Sequence, residues 1–71
     1  MTLGASRLRT WRGKRLMAEA ARLCGMEPST YWRIETGGRI PGRTLALRIL
    51  RGTAGMVTVE SWDEPAGRDA R

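Results

Sequence analysis

The sequence predicts an all-α fold, a compact domain of four to five helices with a central helix-turn-helix. The first observation is the stretch 17–36, MAEAARLCGMEPSTYWRIET, in which apolar residues recur at helical spacing on both sides of Gly25. The second is Pro28, which suits the first position of a helix because its missing amide hydrogen would have no partner there. The third is the glycine that follows each helical stretch and favours its end.

The first helix is predicted over residues 5–12, with Leu8 and Trp11 on its inner face. Residues 1–6 carry little pattern and are expected to fray. The helix is expected to end at Gly13, because a glycine inside a helix costs about 1 kcal/mol.

The next two helices form the motif. The first of them is predicted over residues 16–24 and ends at Gly25, where glycine adopts a left-handed conformation without a side-chain clash. The second is predicted over residues 28–36, with Tyr31 and Ile34 buried. The inner face of the first is expected to carry Leu16, Ala20, Leu23 and Cys24, with the small Ala21 where the two helices cross.

A fourth helix is predicted over residues 44–53, with Leu45, Ile49 and Thr53, or Leu47 and Leu50, facing inward. The apolar cluster Val57, Val59 and Trp62 is compatible with a short helix or a short strand, and both remain open. These elements predict one domain over residues 1–62. The composition of residues 63–71 is typical of a disordered tail.

Charge is unevenly distributed along the 71 residues, whose net charge is +6. Residues 1–55 carry eleven Arg and Lys against three acids, and residues 56–71 carry two against four. A basic body with an acidic tail indicates a polyanionic partner, either nucleic acid or an anionic membrane surface, and solubility alone is an equal alternative.

Several function classes lack the residues they need. No apolar run approaches the ~20 residues of a membrane span, so we expect no membrane partner and a cytoplasmic location. The chain has no histidine, and its single cysteine has no partner for a disulfide, so no metal site or cofactor is expected. No acid–base couple or phosphate-binding loop is present outside the tail. We therefore expect no catalytic residues and no enzyme activity.

The motif resembles the lambda-repressor-like, Cro/CI-type helix-turn-helix family, also called the xenobiotic-response-element family, whose members are bacterial or phage-encoded. The resemblance covers about residues 16–62. Two positions depart from the family pattern: Met17 replaces a phosphate-binding glutamine, and Glu27 replaces a serine. The residues that carry the resemblance are Ala20-Ala21-Arg22-Leu23-Cys24-Gly25-Met26, Ser29-Thr30, Arg33-Ile34-Glu35 followed by Gly37, and Arg39 with Pro41.

The resemblance implies that the helix over residues 28–36 enters the major groove of double-stranded DNA. Arg33 is the strongest candidate for base readout, through guanine O6 and N7, although a phosphate contact or a salt bridge to Glu35 or Glu27 is an equal alternative. Trp32 packs on thymine methyls or, in the favoured alternative, lies along the backbone or the protein surface. The four base-reading candidates are Pro28, Ser29, Trp32 and Arg33.

Two further sets of residues follow from the same resemblance. Contacts to phosphate are expected from the basic stretch at the end of the first helix, from the Thr30 hydroxyl and from the loop after the third helix, because such contacts set register on the duplex. A homodimer interface is expected at the C-terminal cluster, with the alternative that Trp62 simply closes the core. The phosphate candidates are Arg12, Lys14, Arg15, Thr30, Arg39 and Arg43, and the interface candidates are Val57, Val59 and Trp62.

The leading hypothesis is a sequence-specific transcriptional regulator, a repressor that binds a pseudo-palindromic operator as a homodimer. The alternative is an antitoxin-like interaction module that also binds its own promoter and holds a protein partner through its C-terminal tail. Non-specific coating of nucleic acid by charge alone is a third possibility.

Overall fold

The computed structural model describes residues 2–65 and contains four α-helices followed by one turn of 3-10 helix. No strand occurs in this part of the chain, where an isolated bridge pairs Thr2 with Pro65. The all-α class is therefore confirmed, and the last element is helical rather than a strand. The elements are α1 (Leu3–Arg12), α2 (Met17–Leu23), α3 (Pro28–Glu35), α4 (Arg43–Gly52) and the 3-10 turn (Glu60–Asp63).

The N-terminal residues are ordered by one local contact and by one contact with the C-terminal segment. The Thr2 hydroxyl accepts a hydrogen bond from the Ala5 amide at 3.2 Å, as an N-cap does. The Leu3 amide donates to the Glu64 carbonyl at 2.6 Å. The fraying expected for residues 1–6 is therefore wrong for residues 2–6, because the C-terminal segment packs against the start of α1.

The face of α2 that enters the core consists of small side chains. Ala20, Ala21 and Cys24 are buried, as predicted. Leu16 is 74% exposed and Leu23 is 48% exposed, so their predicted inward placement is wrong. Leu16 is the N-cap residue and precedes the helix, so the helical periodicity of α2 does not apply to it.

The core joins α1, α3, α4 and the C-terminal segment. Tyr31 and Ile34 of α3 are fully buried, which confirms the predicted inner face of that helix. On α4, Ile49 is buried as predicted, whereas the leucines of that helix are only partly buried. Other core side chains are Leu8, Ala46, Thr53, Val57 and Trp62.

Trp62 packs directly over the first turn of α1. A Cβ added to Gly4 would lie 2.5 Å from Cδ2 of Trp62, so only a glycine permits the indole to approach this closely. Of the predicted tail over residues 63–71, Asp63 ends the 3-10 turn, Glu64 and Pro65 follow it, and residues 66–71 lie outside the described residues.

Candidate nucleic-acid interface

The turn between α2 and α3 is closed by two backbone hydrogen bonds. Gly25 has φ +67°, and its amide donates to the Arg22 carbonyl at 3.0 Å. The Met26 amide donates to the Ala21 carbonyl, also at 3.0 Å. This pair of bonds is the Schellman arrangement, which satisfies the last carbonyls of a helix and reverses the chain sharply. The turn predicted at Gly25 is confirmed, and it fixes the direction in which α3 leaves α2.

α3 has one buried face and one exposed face. Tyr31 and Ile34 anchor the buried face in the core. The exposed face carries the four predicted base-reading residues, because positions 28, 29, 32 and 33 share one side of a helix. Trp32 is 51% exposed, and the Arg33 guanidinium has no hydrogen-bond partner or ion pair among residues 2–65. The structure therefore brings Pro28, Ser29, Trp32 and Arg33 together on an accessible surface.

The loop after α3 is attached to the end of that helix. Gly37 has φ +85°, and the amides of Gly38 and Arg39 both donate to the Arg33 carbonyl, at 2.8 and 3.1 Å. The backbone of Arg39 therefore has a fixed position relative to the exposed face of α3. Arg39 and Arg43 have exposed side chains, whereas Thr30 is partly buried on α3.

Arg12, a predicted phosphate contact, is instead engaged within the protein. Its Nε donates to Oε1 of Glu35 at 2.6 Å, and one of its terminal nitrogens donates to the Arg15 carbonyl at 3.2 Å. The Tyr31 hydroxyl donates to the same Glu35 oxygen at 3.0 Å. The hydrogen bond to Glu35 raises the pKa of the Arg12 guanidinium. These bonds hold α1 against α3, and the phosphate contact expected of Arg12 stays a prediction.

The loop between α1 and α2 presents the remaining cations of the basic stretch. The Arg15 guanidinium lies 4.7 Å from the centre of the Trp11 ring, a cation–π distance, and donates to the Trp11 carbonyl at 2.7 Å. Lys14 is exposed beside it and has no hydrogen bond or ion pair with residues 2–65. These two side chains stay available for an anionic partner, and that of Arg15 is oriented by Trp11.

The three residues predicted at a dimer interface lie in or against the core of a single protomer. Val57 is fully buried, and Trp62 is 4% exposed. Val59 is partly buried and packs against the same core. The alternative that Trp62 closes the core is the one that the structure supports. Its Nε1 has no hydrogen-bond partner among the described residues.

Two polar residues, Glu35 and Arg48, make contacts at the site that were not predicted from the sequence. Glu35 is 3% exposed, and its position four residues after Tyr31 and one after Ile34 placed it on the buried face of α3. Arg48 of α4 donates to the Gly25 carbonyl at 3.1 Å and so attaches α4 to the turn of the motif. No local pattern pointed to Arg48, because the two residues are 23 positions apart.

Other kinds of site find little support in the described part of the chain. Residues 2–65 contain no group of three His, Cys, Asp or Glu side chains that could hold a metal ion. None of the helices described is long and apolar enough to cross a membrane. Burial raises the pKa of the Cys24 thiol to about 11, so this cysteine is a poor nucleophile at neutral pH.

Comparison with known protein families agrees with this geometry. The family model described as a helix-turn-helix domain matches residues 5–56, which include α2, the turn at Gly25, α3 and α4. Neither the curated proteins nor the solved structures compared with the chain gave a match. The match spans most of the chain and the whole motif, so the chain belongs to the helix-turn-helix domain family and is a DNA-binding helix-turn-helix protein.

Proposed function

We propose that this protein is a sequence-specific transcriptional repressor of the lambda-repressor-like, Cro/CI-type class. It binds a pseudo-palindromic operator as a homodimer and inserts α3 into the major groove. The observation that carries the proposal is the exposed face of α3, on which Ser29, Trp32 and Arg33 stand free while Tyr31 and Ile34 hold the opposite face in the core. A rigid helix with one free polar face is the form in which such motifs read base edges.

Arg33 is the residue that we propose for direct readout. Its guanidinium is exposed, and the carboxylate of Glu35 that could have paired with it is occupied by Arg12 and Tyr31. A free guanidinium donates two parallel hydrogen bonds to guanine O6 and N7, which discriminates by about 1–3 kcal/mol against other bases. Ser29 reaches a base or a phosphate from the first turn, and Trp32 offers its exposed ring to a thymine methyl or to the sugar.

Contacts with phosphate come from both sides of α3. Lys14 and Arg15 lie in the loop before α2, and Arg39 and Arg43 lie in and after the loop that follows α3. Such contacts raise affinity for every sequence and make binding sensitive to salt. We also propose that the protein acts in the cytoplasm. We further propose that it catalyses no reaction itself, since the chain has no histidine and its cysteine is buried.

The test is selection of bound duplexes from a random pool, followed by comparison of three variants. Arg33→Ala should lose preference at one base pair in each half-site. Arg33→Lys is the matched control for charge: it should keep affinity for random DNA yet lose the same preference, because an ammonium cannot bond guanine bidentately. Arg39→Ala should weaken binding to all duplexes alike and reduce the salt dependence.

Two results would contradict the proposal. Equal affinity for selected and random duplexes at about 0.15 M salt would mean that charge alone drives binding. A selected site without two-fold symmetry would exclude the symmetric dimer. The repressor assignment is tested separately, with a reporter whose promoter contains the selected site: added protein should lower transcription, and higher transcription would show an activator.

A further inference from the structure

A groove lies where the C-terminal ends of α2 and α4 meet. A Cβ on Gly52 would lie 2.5 Å from the Leu23 carbonyl oxygen and 3.0 Å from the Cα of Cys24, so the two backbones approach each other only because this position has no side chain. An open groove of about 460 Å³ lies at this junction. Its lining residues are Leu23, Cys24, Gly25, Arg48, Arg51 and Gly52.

This groove combines apolar surface with fixed positive charge. Leu23, which lines the groove, is 48% exposed. Arg48 and Arg51 stand one helical turn apart, and the bond from Arg48 to the Gly25 carbonyl holds its guanidinium in place. Arg51 is exposed and has no side-chain hydrogen bond or ion pair with residues 2–65. A protein segment that carries exposed carboxylate side chains complements these two guanidinium groups.

The chain itself contains a segment of this kind. Residues 52–65 include no Lys or Arg, whereas Glu60, Asp63 and Glu64 are exposed on and just after the 3-10 turn. The remainder of the protein is strongly basic, so this acidic segment is unsuited to a DNA-facing position. The acids of one copy would lie opposite the groove arginines of a second copy. In a two-fold symmetric dimer each such contact occurs twice.

We propose that the groove receives the acidic segment 60–64 of a second copy, with Arg48 and Arg51 facing its carboxylates. This inference rests on the homodimer proposed above and assigns it a surface. Val57 and Trp62 are not needed at that interface, which agrees with their burial in the core of each protomer. The interface sets the distance between the two α3 helices, and hence the half-site spacing.

Charge reversal tests the inference on the full chain without DNA, by sedimentation velocity over a concentration series. Arg51→Glu and the double variant Glu60→Arg with Glu64→Arg should each raise the dimer Kd at least tenfold. In an equimolar mixture, the groove of the double variant can bind the unchanged acidic segment of Arg51→Glu. The mixture should therefore associate more tightly than either variant alone. The matched controls are Arg39→Glu and Glu19→Arg, which reverse exposed charges outside the groove and should leave the Kd unchanged. Circular dichroism melting confirms that each variant is folded.

Three outcomes overturn the inference: a wild-type chain that stays monomeric at every concentration, folded groove variants with an unchanged Kd, or a mixture that associates no better than its components. Binding to a DNA duplex with a single half-site tests whether the groove holds DNA instead of a second copy. If Arg51→Glu weakens that binding as much as Arg39→Glu does, the groove contacts DNA and the inference is wrong. A charge-dependent dimer that shows no base preference would instead refute the proposed repressor and leave this interface intact.

Discussion

Replacing Glu35 by Gln removes the only charge at the contact between α1 and α3 that opposes Arg12 in the described structure. The carboxylate accepts from Arg12 at 2.6 Å and from Tyr31 at 3.0 Å through one oxygen. The glutamine keeps the size of the side chain and one acceptor oxygen. It therefore leaves a partly buried guanidinium without a counter-charge, and the free energy of unfolding should fall.

The expected loss follows from the exposure of the two side chains. Removing one partner of a fully buried pair costs about 3–5 kcal/mol. Here the Arg12 side chain is 25% exposed and that of Glu35 is 3% exposed, so water partly solvates the guanidinium that is left behind. We expect Glu35→Gln to cost about 1.5–3 kcal/mol. For a domain of this size, a loss of about 2 kcal/mol lowers Tm by about 8–16 °C.

Urea unfolding of Glu35→Gln, Arg12→Met and the double variant measures the pair as a double-mutant cycle. The double variant should lose less than the two single losses together, because neither charge is then left without its partner. Glu19→Gln, at an exposed acid of α2, is the control and should change the free energy of unfolding by less than about 0.5 kcal/mol. Strictly additive losses, or a Glu35→Gln variant as stable as the control, would refute the reasoning.

Two other contacts make equally specific predictions. Gly4→Ala should destabilise the fold by about 1–3 kcal/mol, since its Cβ would overlap the Trp62 ring. In a Trp62→Leu background the same change should not lower the stability. A raised Tm for Gly4→Ala alone would contradict this packing. Burial raises the pKa of Cys24 from its ordinary 9.0 to about 11. The thiol therefore loses its proton at a lower pH in the unfolded chain than in the folded one. The free energy of unfolding should consequently fall between about pH 9 and 11, by up to ~1.4 kcal/mol per pH unit. Cys24→Ala should reduce the first part of this fall in the free energy of unfolding, measured by urea unfolding across the pH range. An unchanged pH profile would exclude the thiol as the source of the fall.

The sequence predicted best those features that depend on neighbouring residues. The turn at Gly25 needed a left-handed residue, and the inner face of α3 followed from the spacing of Tyr31 and Ile34. Both were correct because helix periodicity and glycine conformation act within a few residues. The exposed face of α3 followed in the same way, since whatever is not buried on a helix that is half in the core faces outward.

Features that depend on distant residues were missed or misplaced. The start of α1 was expected to fray, but Trp62 covers Gly4 and the Glu64 carbonyl accepts from Leu3. Arg12 looked like one more cation of a basic stretch, and its partner lies 23 positions away. Helical spacing states which residues share a face but not what that face meets, so apolar Leu23 could be exposed while acidic Glu35 became buried.

The position of Glu35 also explains how so basic a chain can hold α3 in a fixed orientation. A cation at the end of α1 would repel the other arginines around the motif, but the Glu35 carboxylate of α3 neutralises Arg12 and Tyr31 donates to the same oxygen. Because Arg12 is held in this way and also donates to the Arg15 carbonyl, it positions Arg15 in the loop before α2. The two bonds to Glu35 and the bond from Arg12 to Arg15 therefore connect the buried face of α3 to Arg15, a cation that we expect to contact phosphate. Loss of Glu35 should consequently weaken binding to all DNA sequences alike, while the base preference that we propose for Arg33 persists.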